Sequence, residues 1–295
     1  METIRLFVSV YRDQMPMLPE PLLPVSAGAA LYPDGTPLLP VCDHRGDHIS
    51  SLNPQYCELT VQYWAWKNAD FDFGGLLHQR RYFDWSDPHP FACDQPKRHD
   101  RPYRIYDVPD EITLRKLGTE PSTILNLLRR YRMIAPLREN LRQSVASYYR
   151  KNDGGAYDDL GLLLEIIRER FPDYADSAAA YLRQSEAYFC NMFAADRELF
   201  EEYSRWLFDI LAEYDKRKPH DKVAPREQGK LAERLFGIYM THLRQNTDIP
   251  WAELPRAHFA GINGMTPHNL SFNRRWYALA PPGSRRRGWL RRLPR

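Results

Sequence analysis

The sequence predicts an α/β fold: a single domain that opens with a mostly parallel sheet and ends in a helix-rich half. Three observations carry that expectation. Residues 4–11 (IRLFVSVY) form an apolar, β-branched run, residues 53–68 carry a helix signature, and residues 73–77 (FGGLL) form a second apolar run too short and glycine-rich for a helix. Strand, helix and strand in that order make a parallel unit, because parallel strands need a crossover and a helix usually supplies it. Such sheets bind ligands beyond the carboxyl ends of their strands.

Taken in order, residues 4–11 read as a buried first strand. Residues 12–50 carry prolines at 16, 19, 21, 24, 33, 37 and 40 with Gly28, Gly35 and Gly46, which argues against long helices. A loop of that length inside a domain is more often functional than filler. Asn53 followed by Pro54 is a helix start. Tyr56, Leu59, Tyr63 and Trp66 follow at spacings of three, four and three, which places them on one face, expected to be core. Glu58 lies beside that face, either solvated and favoured by the helix dipole or turned inward with a partner. Residues 84–120 read as a polar surface excursion. Ser122 is expected to cap the next helix, residues 133–136 (MIAP) to form a short buried strand, and residues 186–194 (EAYFCNMFA) to add another. Helices are expected over 139–150, 158–170, 173–183, 196–214 and 226–244, and no internal repeat is visible.

At 295 residues and 43% apolar composition the chain can bury one sizeable core or two small ones. Its net charge of +3 is too small to point to nucleic acid as a partner. The charge is unevenly spread: eight arginines and no acid lie beyond residue 271, leaving 33 basic against 38 acidic residues before it. Within that tail, RRRGWLRRLPR sets Trp289, Leu290 and Leu293 among arginines, a composition that suits either an interfacial anchor on anionic lipid or a solubilising tail. Cys42, Cys57, Cys93 and Cys190 make no CxxC pair, so reduced thiols in a cytoplasmic protein are expected rather than a disulfide framework or zinc knuckle. No apolar run is long enough for a signal peptide or a membrane span.

The sharpest local motif is HQRRYF, residues 78–83, at the end of the second strand. Arg80 and Arg81 are two planar guanidiniums able to fork onto a diphosphate, and His78 can donate, accept or ligate. The plain structural alternative pairs an arginine with a carboxylate and buries His78. Asp70-Phe71-Asp72 matches a DxD metal motif in letters, but it precedes the strand and reads as a turn. Asp43, Asp47, Asp158 and Asp159 are weak candidates for a general base. Glu233 and Arg234 sit in an amphipathic helix, where a local ion pair is the plain explanation. Neither a G-x-G-x-x-G fingerprint nor a P-loop is present.

These pieces resemble a bacterial family from capsule, exopolysaccharide and O-antigen loci, catalogued as a domain of unknown function and regarded as GT-A type glycosyltransferases. The resemblance rests on IRLFVSVY, VSAGAAL, GDHISSLNPQYCELTVQYWAWKN, GLLHQRRYF, YFCNMFAADRELFEEYSRWLFDIL and GKLAERLF, and covers about residues 4–244. It implies one domain over residues 1–271, with a nucleotide-binding half near 1–137, an acceptor-side helical half near 138–271, and a basic tail over 272–295. It also implies that His78, Arg80, Arg81 and Tyr82 hold the donor diphosphate and sugar, and that Tyr11 and Asp47 lie at the nucleotide. Asp158, Asp159 and Glu233 are then the candidate bases, with Glu58, Trp66, Lys67, Asn191 and Arg234 as further site residues.

The implied activity moves a sugar, a UDP-hexose such as galactose by default, onto a lipid-linked glycan at the inner membrane face. No cofactor is required by the motifs, and a manganese or magnesium ion on the donor stays open. The chain departs from the family pattern at Gln79, where relatives carry tyrosine, and over RKNDGGAYDDL, where relatives are His-rich. A sugar- or nucleotide-binding scaffold without turnover is the alternative from another class. A nucleotidyl- or phosphotransferase is disfavoured by the missing glycine-rich phosphate loop.

Overall fold

The two apolar runs are neighbouring strands of one sheet. In the computed structural model, which describes residues 2–259 apart from 12–14, 16–17, 35, 37–38, 91–102, 107, 154–157 and 219–223, β1 (Ile4–Val10) and β3 (Phe73–His78) pair in parallel, with Ser9 opposite His78. Between them come β2 (Leu22–Ser26), α1 (Asn53–Tyr56) and α2 (Leu59–Asn68). β2 lies on the outer side of β1, so the proline-rich segment holds a strand where only loop was expected. Pro24 is tolerated because β2 has β1 as its one partner strand, its other edge meeting only an isolated bridge from Ser26 to Cys42.

β3 runs through the middle of the sheet. The sequence leaves it in a hairpin to β4 (Arg81–Phe83), and β5 (His89–Pro90), β6 (Tyr103–Tyr106), α3 (Glu111–Lys116), α4 (Pro121–Arg130) and β7 (Met133–Pro136) follow. β10 (Phe193–Asp196) inserts between β3 and β7, antiparallel to both. β11 (Trp251–Leu254) runs parallel to β7, and β12 (Arg256–Phe259) joins β4 and β6. The glycines of β3 allow this crowding: a Cβ on Gly75 would stand 2.8 Å from the Phe193 carbonyl oxygen and 2.8 Å from Leu6. Along β1 and β3 the side chains alternate between two cores. Phe7 and Leu76 face one, under α2 and the later helices, and Leu6, Val8 and Leu77 face the other, under α3 and α4. Burial on both faces is why IRLFVSVY reads as an unbroken apolar run.

The second half supplies β8 (Glu139–Asn140) and β9 (Glu186–Ala187), which pair with each other, and α5 (Val145–Asn152), α6 (Asp159–Arg170), α7 (Ala175–Arg183), α8 (Arg197–Arg217) and α9 (Glu227–Asn246). Several boundaries differ from expectation for local reasons. The helix expected over 139–150 starts only at Val145, where Ser144 caps it. α4 starts at Pro121 with Glu120 before it, so Ser122 is inside the helix and not its cap. The strand expected over 186–194 is two short strands split by a left-handed turn at Cys190 and Asn191. The excursion over 84–120 is anchored, since Trp85, Leu114 and Leu117 are buried. The second half is not helical to its end either, because β11 and β12 return to the sheet. The basic tail over 272–295 lies outside the described residues.

Candidate active site

β3 is apolar until His78, where the chain turns at Gln79 and Arg80, and Arg81 pairs back onto His78. Gln79 locks this turn to the end of β1: its N–H donates to the Ser9 carbonyl at 3.0 Å, and its side-chain oxygen accepts from the Tyr11 N–H at 3.0 Å. Arg80 is exposed and Arg81 half-buried. Neither has a carboxylate within ion-pair distance among the described residues. Two uncommitted guanidiniums thus sit together at the carboxyl end of the central strand. Tyr82 does not join them. Alternation along β4 turns its ring into the core, edge-on to Phe259 at 5.2 Å, which corrects the expectation that it orients donor.

Behind His78 stand two carboxylates. The helix expected to run unbroken from Asn53 is interrupted at Cys57, whose φ of 51° lies in the left-handed region, and α2 begins anew at Leu59. That break places Glu58 at the head of α2, half-buried and turned inward, accepting from the Asn191 amide at 2.7 Å and lying 3.6 Å from His78 Nε2. His78 Nε2 also lies 2.5 Å from the Cys190 carbonyl oxygen. A carbonyl only accepts, so Nε2 carries the hydrogen and Nδ1 keeps its lone pair. Burial holds the imidazole below its ordinary pKa against the pull of Glu58, so the ring is neutral at pH 7.

The turn at Cys190 and Asn191 binds the second carboxylate. Both residues have positive φ, 81° and 47°, and asparagine is among the residues that tolerate this best. The Cys190 N–H donates to Glu233 Oε1 at 2.6 Å, and Asn191 donates both to Glu58 and to the Gly229 carbonyl at 2.9 Å. Cys190 Sγ accepts from Arg256 at 3.1 Å, and Arg256 pairs with Glu139. Burial pushes the Glu233 carboxyl up to about 7, with Glu58 and Asp153 adding to the rise, while Arg234 and the Cys190 N–H oppose it. Arg234, fully buried, donates to Asp153 at 2.9 Å and to Glu233 at 3.3 Å, with its guanidinium 5.2 Å from the Phe189 ring. The local ion pair expected of Glu233 and Arg234 is therefore present, and Glu233 still reaches the site, with 18% of its side chain exposed.

The remaining expected residues lie elsewhere. Asp158 caps α6 by accepting from the Gly161 N–H. Asp159 is sealed in a buried group with Lys218 at 2.7 Å and the Tyr214 hydroxyl at 2.7 Å, so no acceptor can reach it. Neither fits the role of base. Asp47 accepts from Tyr63 and exchanges hydrogen bonds with Asn68, clamping its loop to α2. Trp66 stacks on Phe208 of α8 at 5.9 Å with Lys67 over its outer face at 3.5 Å, one helix length from Glu58. The face expected to be core has rotated accordingly. Tyr63 and Trp66 are half-buried against α8, while Thr60, Val61, Gln62 and Ala65 are buried. Tyr11 does stand at the site end of the sheet, exposed and 6.3 Å from the Tyr32 ring.

Asp70 pairs with Arg197 and Asp72 binds Thr3, both at the amino end of β3, about 20 Å along the strand from His78. Among the described residues no three His, Cys, Asp or Glu side chains cluster as a metal-holding group.

Sequence reasoning missed Arg226, Arg256 and His258. Arg226 heads α9 with φ 62°, hydrogen bonds to Cys57 and faces Glu58 and Glu233. His258 stacks on Tyr103 at 4.3 Å and is pushed down to about 2 by burial and by Arg256 and Arg81. Its signal was legible: WAEL and RAHF around Pro255 are two short runs rich in apolar residues.

A family model matches residues 5–246, from β1 to the end of α9. The chain belongs to that family, DUF4422, a domain of unknown function. No curated protein matches this DUF4422 chain. Among solved structures it is similar to the apo structure of WbbM, a bifunctional glycosyltransferase, with 25% sequence identity and a TM-score of 0.78. The match covers 90% of the DUF4422 chain and 47% of the WbbM chain, so the chain spans about half of that protein. The fold is thus a single GT-A-like α/β domain, as the sequence led one to expect.

Proposed function

We propose that the chain is a glycosyltransferase that moves a sugar, by default a hexose such as galactose from its UDP donor, onto a growing bacterial surface glycan. The observation that carries this is the ionisable Glu233, joined through Cys190 to His78 at the strand end where Arg80 and Arg81 lie without carboxylate partners among the described residues. Likeness to a bifunctional glycosyltransferase supports the class of reaction.

In this reading Arg80 and Arg81 grip the donor diphosphate, and Tyr11 lies against the nucleotide. The acceptor hydroxyl oxygen attacks the anomeric carbon as the bond from that carbon to the diphosphate oxygen breaks. Glu233 takes the hydroxyl proton. The electron pair leaves with the nucleoside diphosphate, whose growing charge the two arginines neutralise. His78, neutral with Nδ1 free to accept, orients a sugar hydroxyl. A carboxylate tuned to about pH 7 is suited to this task, because it is ionised at working pH yet basic enough to accept a proton. No step is routed through a metal. A lipid-linked acceptor fits the arginine-rich tail, which would hold the enzyme against anionic lipid at the inner membrane face. No described helix is long and apolar enough to cross a membrane.

The test is incubation of purified protein with UDP-, GDP- and CMP-sugars and a lipid-linked glycan, reading nucleotide release and product mass. Product heavier by one sugar residue, lost in Glu233→Gln, supports the proposal. Donor binding with neither transfer nor hydrolysis would make the chain a scaffold instead.

A further inference from the structure

The two arginines are carried on a turn that does not hold itself. His78 pairs with Arg81 across only two residues, Gln79 and Arg80. Two-residue hairpins usually close through a residue of positive φ, because the commoner turn backbones splay the strands. Neither Gln79 nor Arg80 has one. The turn is instead hung between two other strands. On one side the Arg80 carbonyl accepts from the Phe259 N–H of β12 at 2.8 Å, and on the other the Gln79 N–H donates to the Ser9 carbonyl of β1 at 3.0 Å. Almost any residue could make those two backbone bonds. The third depends on the side chain: Gln79 Oε1 accepts from the Tyr11 N–H at 3.0 Å. The carbonyl of that same peptide unit, on Val10, accepts from the Ala27 N–H at 2.8 Å, so the unit that carries Tyr11 out of β1 is fixed at both of its polar atoms.

Resting on the reading of Arg80 and Arg81 as the diphosphate grip and of Tyr11 as the nucleoside contact, we propose that Gln79 is a positioning residue that sets the spacing between those two parts of the donor site. Its amide acts through the Tyr11 backbone at one end and through its own turn at the other. A ligand that spans both parts gains from that spacing, because binding at one end brings the other to a high effective concentration. Without the side-chain bond the arginines stay at the strand end, held by Ser9 and Phe259, but Tyr11 is no longer tied to them. Each part then still binds its own fragment, and the advantage of the joined ligand is lost.

Gln79→Met keeps the length of the side chain and replaces the amide oxygen with a thioether, a much weaker acceptor. Affinity is measured by calorimetry for UDP and GDP, and by NMR titration for inorganic pyrophosphate and the matching nucleoside. In Gln79→Met the nucleoside diphosphate that binds the wild type should bind about tenfold more weakly, while pyrophosphate and the nucleoside stay within about twofold of their wild-type affinities. A turn that had merely come loose would weaken pyrophosphate as much as the nucleoside diphosphate. The double variant Gln79→Met/Arg80→Ala should bind no more weakly than Arg80→Ala alone, because the spacing has value only while the grip is present.

Selective loss of the joined ligand with both fragments retained, and no further loss in the double variant, establishes the spacing role. Wild-type affinity in Gln79→Met, or an equal loss for pyrophosphate, overturns it; if Arg80→Ala still abolishes binding in that case, the donor site stands without it. A wild type that binds neither UDP nor GDP, or that binds as well without Arg80, overturns the donor reading itself, and the spacing role falls with it.

Discussion

Glu233 makes two separable predictions, one for rate and one for stability. As a base it works only when ionised, so kcat should rise tenfold per pH unit below about 7 and level off above. The stability effect has the opposite sense. The folded carboxyl binds its proton more tightly than the unfolded one, so its favourable contribution is complete below the ordinary value of 4.5 and is lost as pH rises through about 7. Glu233→Gln keeps an acceptor for the Cys190 N–H and never ionises. Its urea midpoint should therefore gain on the wild type between pH 5 and pH 8, while transfer is abolished. A variant that loses activity and stability equally at pH 8 would mean a structural carboxylate. Arg80, exposed at the tip of its turn, should behave more simply: Arg80→Ala should cost at least tenfold in transfer and less than about 0.5 kcal/mol in stability. Sequence alone singled out His78, Arg80 and Arg81, because each is chemically unusual at the end of an apolar strand, whereas Glu233 read as a local ion pair and entered as a candidate base only beside Asp158 and Asp159 through the family resemblance. It did not single out Cys190 or Arg256, whose parts depend on backbone atoms and on a strand that pairs from far along the chain.

At the scale of elements, legibility followed periodicity. α6, α7, α8 and α9 lie within a few residues of their expected spans, since long amphipathic repeats report their own boundaries. The failures sit where tertiary pairing overrides local propensity. Leu22–Ser26 is a strand despite Pro24 because its one partner strand is β1 and its outer edge is bridged only at Ser26, away from the proline. The helix from Asn53 breaks at Cys57, where α9 packs closely: a Cβ on Gly229 would lie 3.4 Å from Cys57 Sγ. A second glycine on α9 gives a direct test. A Cβ on Gly237 would stand 1.9 Å from the Tyr181 ring, and the Tyr181 hydroxyl accepts the Tyr188 N–H just before the site turn. Gly237→Ala should lose about 1–3 kcal/mol in chemical denaturation despite the better helix propensity of alanine. A stabilised variant would show that α7 and α9 can part without cost.

The whole molecule is held as one body because its two halves interleave. β10 and β11 come from the second half yet flank β7 of the first. No local sequence signal carries that pairing. Away from the site, Lys218 is fully buried between Asp159 at 2.7 Å and Glu227 at 2.5 Å, tying α6 to the start of α9. Removing the ammonium in Lys218→Met strands two facing carboxylates and should cost about 3–5 kcal/mol, read as a lower denaturation midpoint.

On the proposed reading the donor binds this same body, so binding should appear as added stability of the native state. A nucleotide at 100 times its dissociation constant adds about 2.7 kcal/mol, which for a chain of this size raises the melting temperature by about 4 °C. The arginine pair and the base make different claims on that shift. Arg80→Ala should abolish it for the matching nucleoside diphosphate, because the diphosphate grip is gone. Glu233→Gln should keep it, because the base serves the acceptor. With two guanidiniums supplying the countercharge, the shift should survive chelation by EDTA. A shift that appears only with manganese would place the diphosphate on carboxylates rather than on Arg80 and Arg81, and would move the donor site away from the end of β3.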